Sequence, residues 1–117
     1  MILGTGVDVC DLARWQAMCR RRPGAAARVL CPYELALPAR SQAARFAAKE
    51  ALAKALGAPA GLSWHDAEVV TDPAGRPVFE VRGSVAERLA ALGAARIHLS
   101  LSHDGGLAVA MVVVESR

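Results

Sequence analysis

The segment Arg45-Phe46-Ala47-Ala48-Lys49-Glu50-Ala51-Leu52-Ala53-Lys54-Ala55-Leu56-Gly57 constrains the fold of this chain more than any other. Alanine and leucine are strong helix formers, Ser41 marks an opening, and Gly57 stands where a left-handed residue commonly closes a helix. Pro59 then prevents continuation. The helix holds both lysines of the chain, every other basic side chain being arginine. Spacing of four puts Glu50 and Lys54 on one face, as a surface ion pair or as a metal ligand beside a phosphate-binding ammonium. Arg45 lies nine residues before Lys54 and projects to nearly the opposite side.

The remaining elements follow from periodicity and punctuation. Ile2 to Val9 reads as a strand, and Asp11 can cap a helix carrying Leu12, Trp15, Met18 and Cys19 at helical spacing until Pro23-Gly24 ends it. A short helix is expected from Pro32 to Leu37, closed by Pro38. Glu68–Thr71 and Val78–Val81 flank Asp72-Pro73-Ala74-Gly75-Arg76-Pro77 and form a hairpin. Ser84-Val85-Ala86-Glu87 has the pattern of a capping box, opening a helix to Leu92 with Gly93 as its stop. A last hairpin joins Ile97–Ser102 to Leu107–Glu115 across Asp104-Gly105-Gly106. Hairpins outnumbering βαβ crossovers predict an α+β fold with a largely antiparallel sheet packed with the long helix, in one domain over 1–117.

Composition excludes several classes. With 117 residues, 54% hydrophobic and only 4% aromatic, the core must be built from Ala, Leu and Val with few large anchors, and oligomerisation would complete its burial. No run approaches the roughly 18 apolar residues of a membrane span. The start, Met1-Ile2-Leu3-Gly4, is no basic stretch followed by a long apolar one, so a cytoplasmic protein is expected. Cys10, Cys19 and Cys31 form no CxxC pair, which argues against a disulfide framework or a zinc site. A net charge of +3 suits an anionic partner, yet nucleic acid would demand a denser basic stripe with stacking aromatics; an acidic protein or phosphorylated cofactor fits better. Arg20-Arg21-Arg22 is read as a solvated helix end.

Asp8, at the end of an apolar strand, is costly without a positive partner. Arg14 is one structural answer; a divalent ion shared with Glu50 is the functional one, and two carboxylates with open positions suit magnesium. Gly4-Thr5-Gly6 lacks a Walker Gly-Lys-Ser/Thr and dinucleotide spacing, so its glycines read as packing residues of a central strand. Ser100, Ser102 and His103 lack a nucleophile elbow, which disfavours a serine hydrolase. His98 and His65 read as surface or packing residues, whereas His103 ends a strand beside a glycine turn and is placed to touch a phosphate. If Arg45 and Lys54 bind one class of ligand, the economical arrangement is a site between subunits.

The order of Gly4–Val9, the motif Arg45–Ala51 and Ile97–Asp104 resembles the holo-[acyl-carrier-protein] synthase family of phosphopantetheinyl transferases over nearly the whole chain. The resemblance implies transfer of 4′-phosphopantetheine from coenzyme A to a serine of apo acyl carrier protein, releasing adenosine 3′,5′-bisphosphate, in a trimer with interfacial active sites. By that likeness Asp8 and Glu50 match the magnesium ligands, and Lys54 a lysine that reaches the pyrophosphate. Arg45 and His103 match coenzyme A contacts across the interface, and Arg14 the arginine that meets acidic residues of the carrier. Gly75-Arg76-Pro77 matches a Gly-Lys-Pro turn near the nucleotide, with Arg76 in place of lysine. The base that deprotonates serine is Glu50 or a metal-bound water. The chain departs from the family in Ala58-Pro59-Ala60-Gly61-Leu62, where relatives carry a longer glycine-rich loop, and in the short segment between Cys31 and Ser41. A non-catalytic coenzyme A-binding or assembly module is the alternative from another class.

Overall fold

The computed structural model describes all of residues 1–117. Strand β1 (Ile2–Asp11) leads into helix α1 (Leu12–Arg21), and two short helices follow, α2 (Ala25–Val29) and α3 (Pro32–Leu35). Helix α4 (Ala39–Ala55) is the longest element. A single turn of 3-10 helix, Trp64–Asp66, precedes the hairpin of β2 (Ala67–Thr71) and β3 (Pro77–Val81). Helix α5 (Gly83–Leu92) then leads into β4 (Ala94–Asp104) and β5 (Leu107–Ser116). The fold is α+β, as expected, with its antiparallel strands divided between a three-stranded sheet, β1-β5-β4, and the separate β2-β3 pair.

Helix α4 lies across the three-stranded sheet with almost no side chain between. Ala44, Ala47, Ala48, Ala51 and Ala55 face the sheet and are buried. A Cβ placed on Gly4 or Gly6 would run into the backbone carbonyl of Ala55 or Ala51, so the glycines of β1 are the condition for this contact. Ala108, Ala110, Val112 and Val114 of β5 complete the layer. Because side chains alternate across a strand, the even-numbered residues of β1 from Gly4 to Cys10 face α4, and Asp8 follows Gly4 and Gly6 on that face.

The other flank of α4 is held by a buried ion pair. Lys49 Nζ donates to Glu34 Oε1 at 2.7 Å, to the Val29 carbonyl at 2.6 Å and to the Trp64 carbonyl at 3.2 Å. Glu34 also accepts from the backbone N–H of Cys31 at 2.7 Å and of Val69 at 2.9 Å. All three ammonium protons and both carboxylate oxygens are thus used, and the pair fastens α2, α3, the 3-10 turn and β2 to the long helix.

Several local expectations change. Strand β1 runs two residues past Val9, so Asp8 is inside the strand and Asp11 both ends it and caps α1, accepting from the Arg14 N–H at 3.0 Å. The Pro23-Gly24 turn reopens into α2, because Gly24 takes a left-handed φ of 88° ahead of three alanines. Helix α3 stops at Leu35 and α4 begins at Ala39, with Pro38 rather than Ser41 at its opening. The capping box at Ser84 does not form. Arg82 occupies the cap position, and Asp66 Oδ2, from outside the helix, accepts from both the N–H (2.8 Å) and the hydroxyl (2.7 Å) of Ser84. Those bonds hold the Asp66 carboxyl below its ordinary range.

Replacing Lys49 by Met leaves the Glu34 carboxylate and two carbonyls buried without their donor. The expected loss is roughly 3–5 kcal/mol, a fall in Tm on the order of 10 °C measurable by thermal denaturation. Retention of the parent Tm would mean that the pair does not hold these elements together.

Candidate active site

Asp8 on β1 and Glu50 and Lys54 on α4 come together where the strand crosses the helix. Lys54 Nζ donates to Asp8 Oδ1 at 3.1 Å and to the Val7 carbonyl at 2.9 Å. The partner of Asp8 is therefore Lys54 and not Arg14, and the ion pair that Lys54 makes is with Asp8 rather than with Glu50. The reason is the glycine contact: with no side chain at Gly4 or Gly6, the strand lies within reach of a lysine on α4.

Glu50 is half-buried and accepts no hydrogen bond from within the chain. Burial raises its carboxyl above the ordinary carboxylate range, the neighbouring charge of Asp8 raises it further, and Lys54 only partly opposes them. Two carboxylates facing one ammonium leave a surplus of negative charge. A hard divalent cation taking oxygen ligands and keeping positions for water and phosphate is what such a donor set accommodates, so Asp8 and Glu50 fit magnesium.

The other sequence candidates lie elsewhere. Arg45 is buried on the flank of α4 opposite Lys54, as the helical spacing requires. Its Nε donates to the Val69 carbonyl at 3.2 Å, and its guanidinium lies 6.0 Å from the Tyr33 ring centre. His103 Nε2 is 3.4 Å from the Arg40 carbonyl, near the start of α4, beside a cavity of about 270 Å³. Arg76 sits on the β2-β3 turn, where Asp72 accepts from its N–H at 2.9 Å and from its Nε at 3.1 Å while its side chain stays exposed. Gly75, at φ 85°, permits that turn. Arg14 is exposed on α1 and borders an apolar cleft of about 340 Å³ with Trp15, Met18, Val29 and Phe46. His65 and His98 are exposed, bonded to the Ala27 carbonyl and to Glu115.

Sequence reasoning assigned no role to Lys49 or Glu34. The signal was present: Arg45, Lys49, Leu52 and Leu56 share one stripe of α4, and a lysine on an apolar stripe requires a buried counter-charge. The Arg14 cleft was also missed, because its walls come from β1, α1, α2 and α4 together.

Over residues 4–112 the chain matches the model of the 4′-phosphopantetheinyl transferase superfamily. The chain belongs to this family. It is 62% identical over 116 residues to a holo-[acyl-carrier-protein] synthase of Cutibacterium acnes, a match spanning 98% of this chain and 99% of that one. Its fold superposes on the crystal structure of holo-[acyl-carrier-protein] synthase from Neisseria meningitidis with a TM-score of 0.90 at 34% identity, covering 99% of this chain and 100% of that one. The Helicobacter pylori synthase, solved in complex with coenzyme A, superposes with a TM-score of 0.83 at 32% identity over 95% of this chain and 99% of that one. In this transferase, then, the one place where two carboxylates and a half-exposed lysine converge is the crossing of β1 and α4.

The sign of the Glu50 effect gives a measurable consequence. With its carboxyl raised in the fold, the native state binds protons more tightly than the unfolded chain, so stability falls as pH rises from the unfolded value through the folded one. In chelator, Glu50→Gln is expected to melt higher than the parent at pH 7 and to match it near about pH 4, where both states of Glu50 are largely protonated. Magnesium should then raise the Tm of the parent and not of the variant. A parent Tm indifferent to magnesium would count against these ligands.

Proposed function

We propose that this chain transfers 4′-phosphopantetheine from coenzyme A to a serine hydroxyl of an apo acyl carrier protein, releasing adenosine 3′,5′-bisphosphate. The observation that carries this reading is the meeting of Asp8, Glu50 and Lys54 at the β1–α4 crossing in a chain of this family. The serine oxygen attacks the β-phosphorus, the bond from that phosphorus to the bridging oxygen breaks, and the bisphosphate leaves with the electron pair. Asp8 and Glu50 would hold magnesium, which when bound supplies charge neutralisation at the pyrophosphate. Lys54 is anchored to Asp8 and the Val7 carbonyl, and its remaining N–H stabilises charge on the leaving group. Glu50, made more basic by burial and by Asp8, accepts the serine proton. No serine of this chain need act as nucleophile, since the attacking hydroxyl belongs to the carrier.

Other residues take supporting roles. Arg14, beside its apolar cleft, suits an acidic carrier that presents an apolar anchor next to carboxylates. Arg76 meets the nucleotide from the β2-β3 turn. His103 and Arg45 serve the coenzyme A held by a neighbouring copy, Arg45 through the guanidinium nitrogen that Val69 and Ser41 leave free.

The working unit is a homotrimer of one-domain chains acting in the cytoplasm. Support for assembly comes from the sheet face turned away from α4, where Val7 lies opposite Met111 and Val9 opposite Val109, with Val113 beside them. Val7, Val9 and Met111 are about half exposed, an apolar patch that a second copy would cover. The number three rests on the family resemblance.

The deciding experiment is intact mass of apo acyl carrier protein incubated with this chain and coenzyme A, with magnesium and with chelator. A gain of one phosphopantetheine arm is expected only with magnesium. Coenzyme A binding without any gain, across fatty-acid and polyketide carriers, would turn the reading to a non-catalytic module. Asp8→Ala is expected to lower turnover at least ~100-fold with the fold retained. Met111→Lys should shift the assembly toward monomer in sedimentation and lose transfer with it; full activity from a monomer would overturn the interfacial site.

A further inference from the structure

We infer that Gln42 is a positioning residue for the carrier protein: acting through Trp15, it sets the shape of the apolar cleft beside Arg14. The inference rests on the docking of an acidic acyl carrier protein at that cleft, proposed above. Trp15 is buried, and its indole N–H donates to Gln42 Oε1 at 3.2 Å while its ring packs on Phe46 with centres 5.3 Å apart. Gln42 and Phe46 stand four residues apart on α4 and share a face, so one helix holds the ring at two points. Gln42 Nε2 donates in turn to the carbonyl of Leu35, at the end of α3, over 3.0 Å. An indole N–H only donates and a carbonyl only accepts, so a single orientation of the amide serves both.

The ring held in this way is a wall of the cleft, with Arg14 before it and Met18 three residues on along α1, and Phe46 and Val29 also lining the space. The cleft adjoins the proposed carboxylates. Cys10, on its lining, follows Asp8 on the α4 side of β1, and Phe46 stands one turn before Glu50, so a carrier anchored here presents its serine to the site. The shape of the cleft decides how readily that anchor seats. Stacking on Phe46 alone leaves an indole free to slide or turn over; the bond to Gln42 fixes its rotation. Without that acceptor the N–H is buried unpaired, and relief lies on the side where Trp15 borders open space, which is the cleft itself.

The test measures transfer by Gln42→Leu, close to glutamine in size but offering no acceptor, in separate concentration series of apo carrier and of coenzyme A. The KM for the carrier is expected to rise about tenfold, the scale of one buried donor left unpaired. The KM for coenzyme A, and kcat at saturating carrier, should stay near those of the unaltered protein. Gln42→Glu, which keeps an oxygen for the indole, should recover most of the affinity. In Trp15→Phe, where the donor is gone, adding Gln42→Leu should move the carrier KM no further. The fold of each variant is checked by Tm. A carrier KM unmoved by Gln42→Leu, a rise shared equally by coenzyme A, or the same added loss in the Trp15→Phe background overturns the assignment and leaves Gln42 a purely structural residue. The reading beneath it fails differently: Arg14→Glu would then leave the carrier KM unchanged, or the unaltered protein would transfer nothing.

Discussion

Everything at the candidate site depends on how closely β1 approaches α4. Gly4 and Gly6 lie against the carbonyls of Ala55 and Ala51, and alanines line the helix face between them. Neither surface has side chains to spare, so little apolar area per residue is buried; what the contact supplies is position. It brings Asp8 within reach of Lys54 from an element more than forty residues away in sequence, and it puts two carboxylates near enough to disturb one another. A methyl group on either glycine would push strand and helix apart and dissolve that juxtaposition before any catalytic side chain was altered.

Helix α4 divides its circumference between tasks. One side is the alanine face against the sheet. A second carries Lys49, Arg45, Leu52 and Leu56 into the half of the molecule built by α3 and β2, where the cations are spent on the chain's own carbonyls and on Glu34. The third carries Glu50 and Lys54, whose charges are left incompletely satisfied. Lys49 and Lys54 differ only in which side they occupy, yet one is a structural bolt with all three donors used and the other is half exposed.

That division explains what was legible in advance. Fold class, the order of the main elements and the grouping of Glu50 with Lys54 follow from periodicity and from glycine and proline punctuation, because those signals are local. The opposite placement of Arg45 and Lys54 follows from helical geometry alone. Pairings between distant elements were not legible: Ser84 looked like its own helix cap because only local partners are visible in a sequence, whereas Asp66 supplies the cap from across a turn. The same holds for Asp8, for which Arg14 was the one structural partner the sequence offered beside a divalent ion shared with Glu50 but which pairs with Lys54, and for Glu34, which nothing local marks as buried. Helix α2 escaped notice since a proline-glycine pair reads as an end, and only the left-handed conformation of Gly24 makes it a beginning.

The two halves of the structure carry opposite electrostatic signatures, and the contrast bears on function. Around Glu34 and Lys49 every buried polar atom has its partner, the arrangement expected of a region selected for stability. At the β1–α4 crossing the chain retains a carboxylate raised by burial and by a like charge, with no hydrogen bond of its own to offset the cost. A fold able to satisfy Glu34 with three donors could have satisfied Glu50 as well. It leaves Glu50 open on α4 and the apolar sheet face turned away from α4 uncovered, the two features that the proposed cation, phosphorylated substrate and neighbouring chains would satisfy.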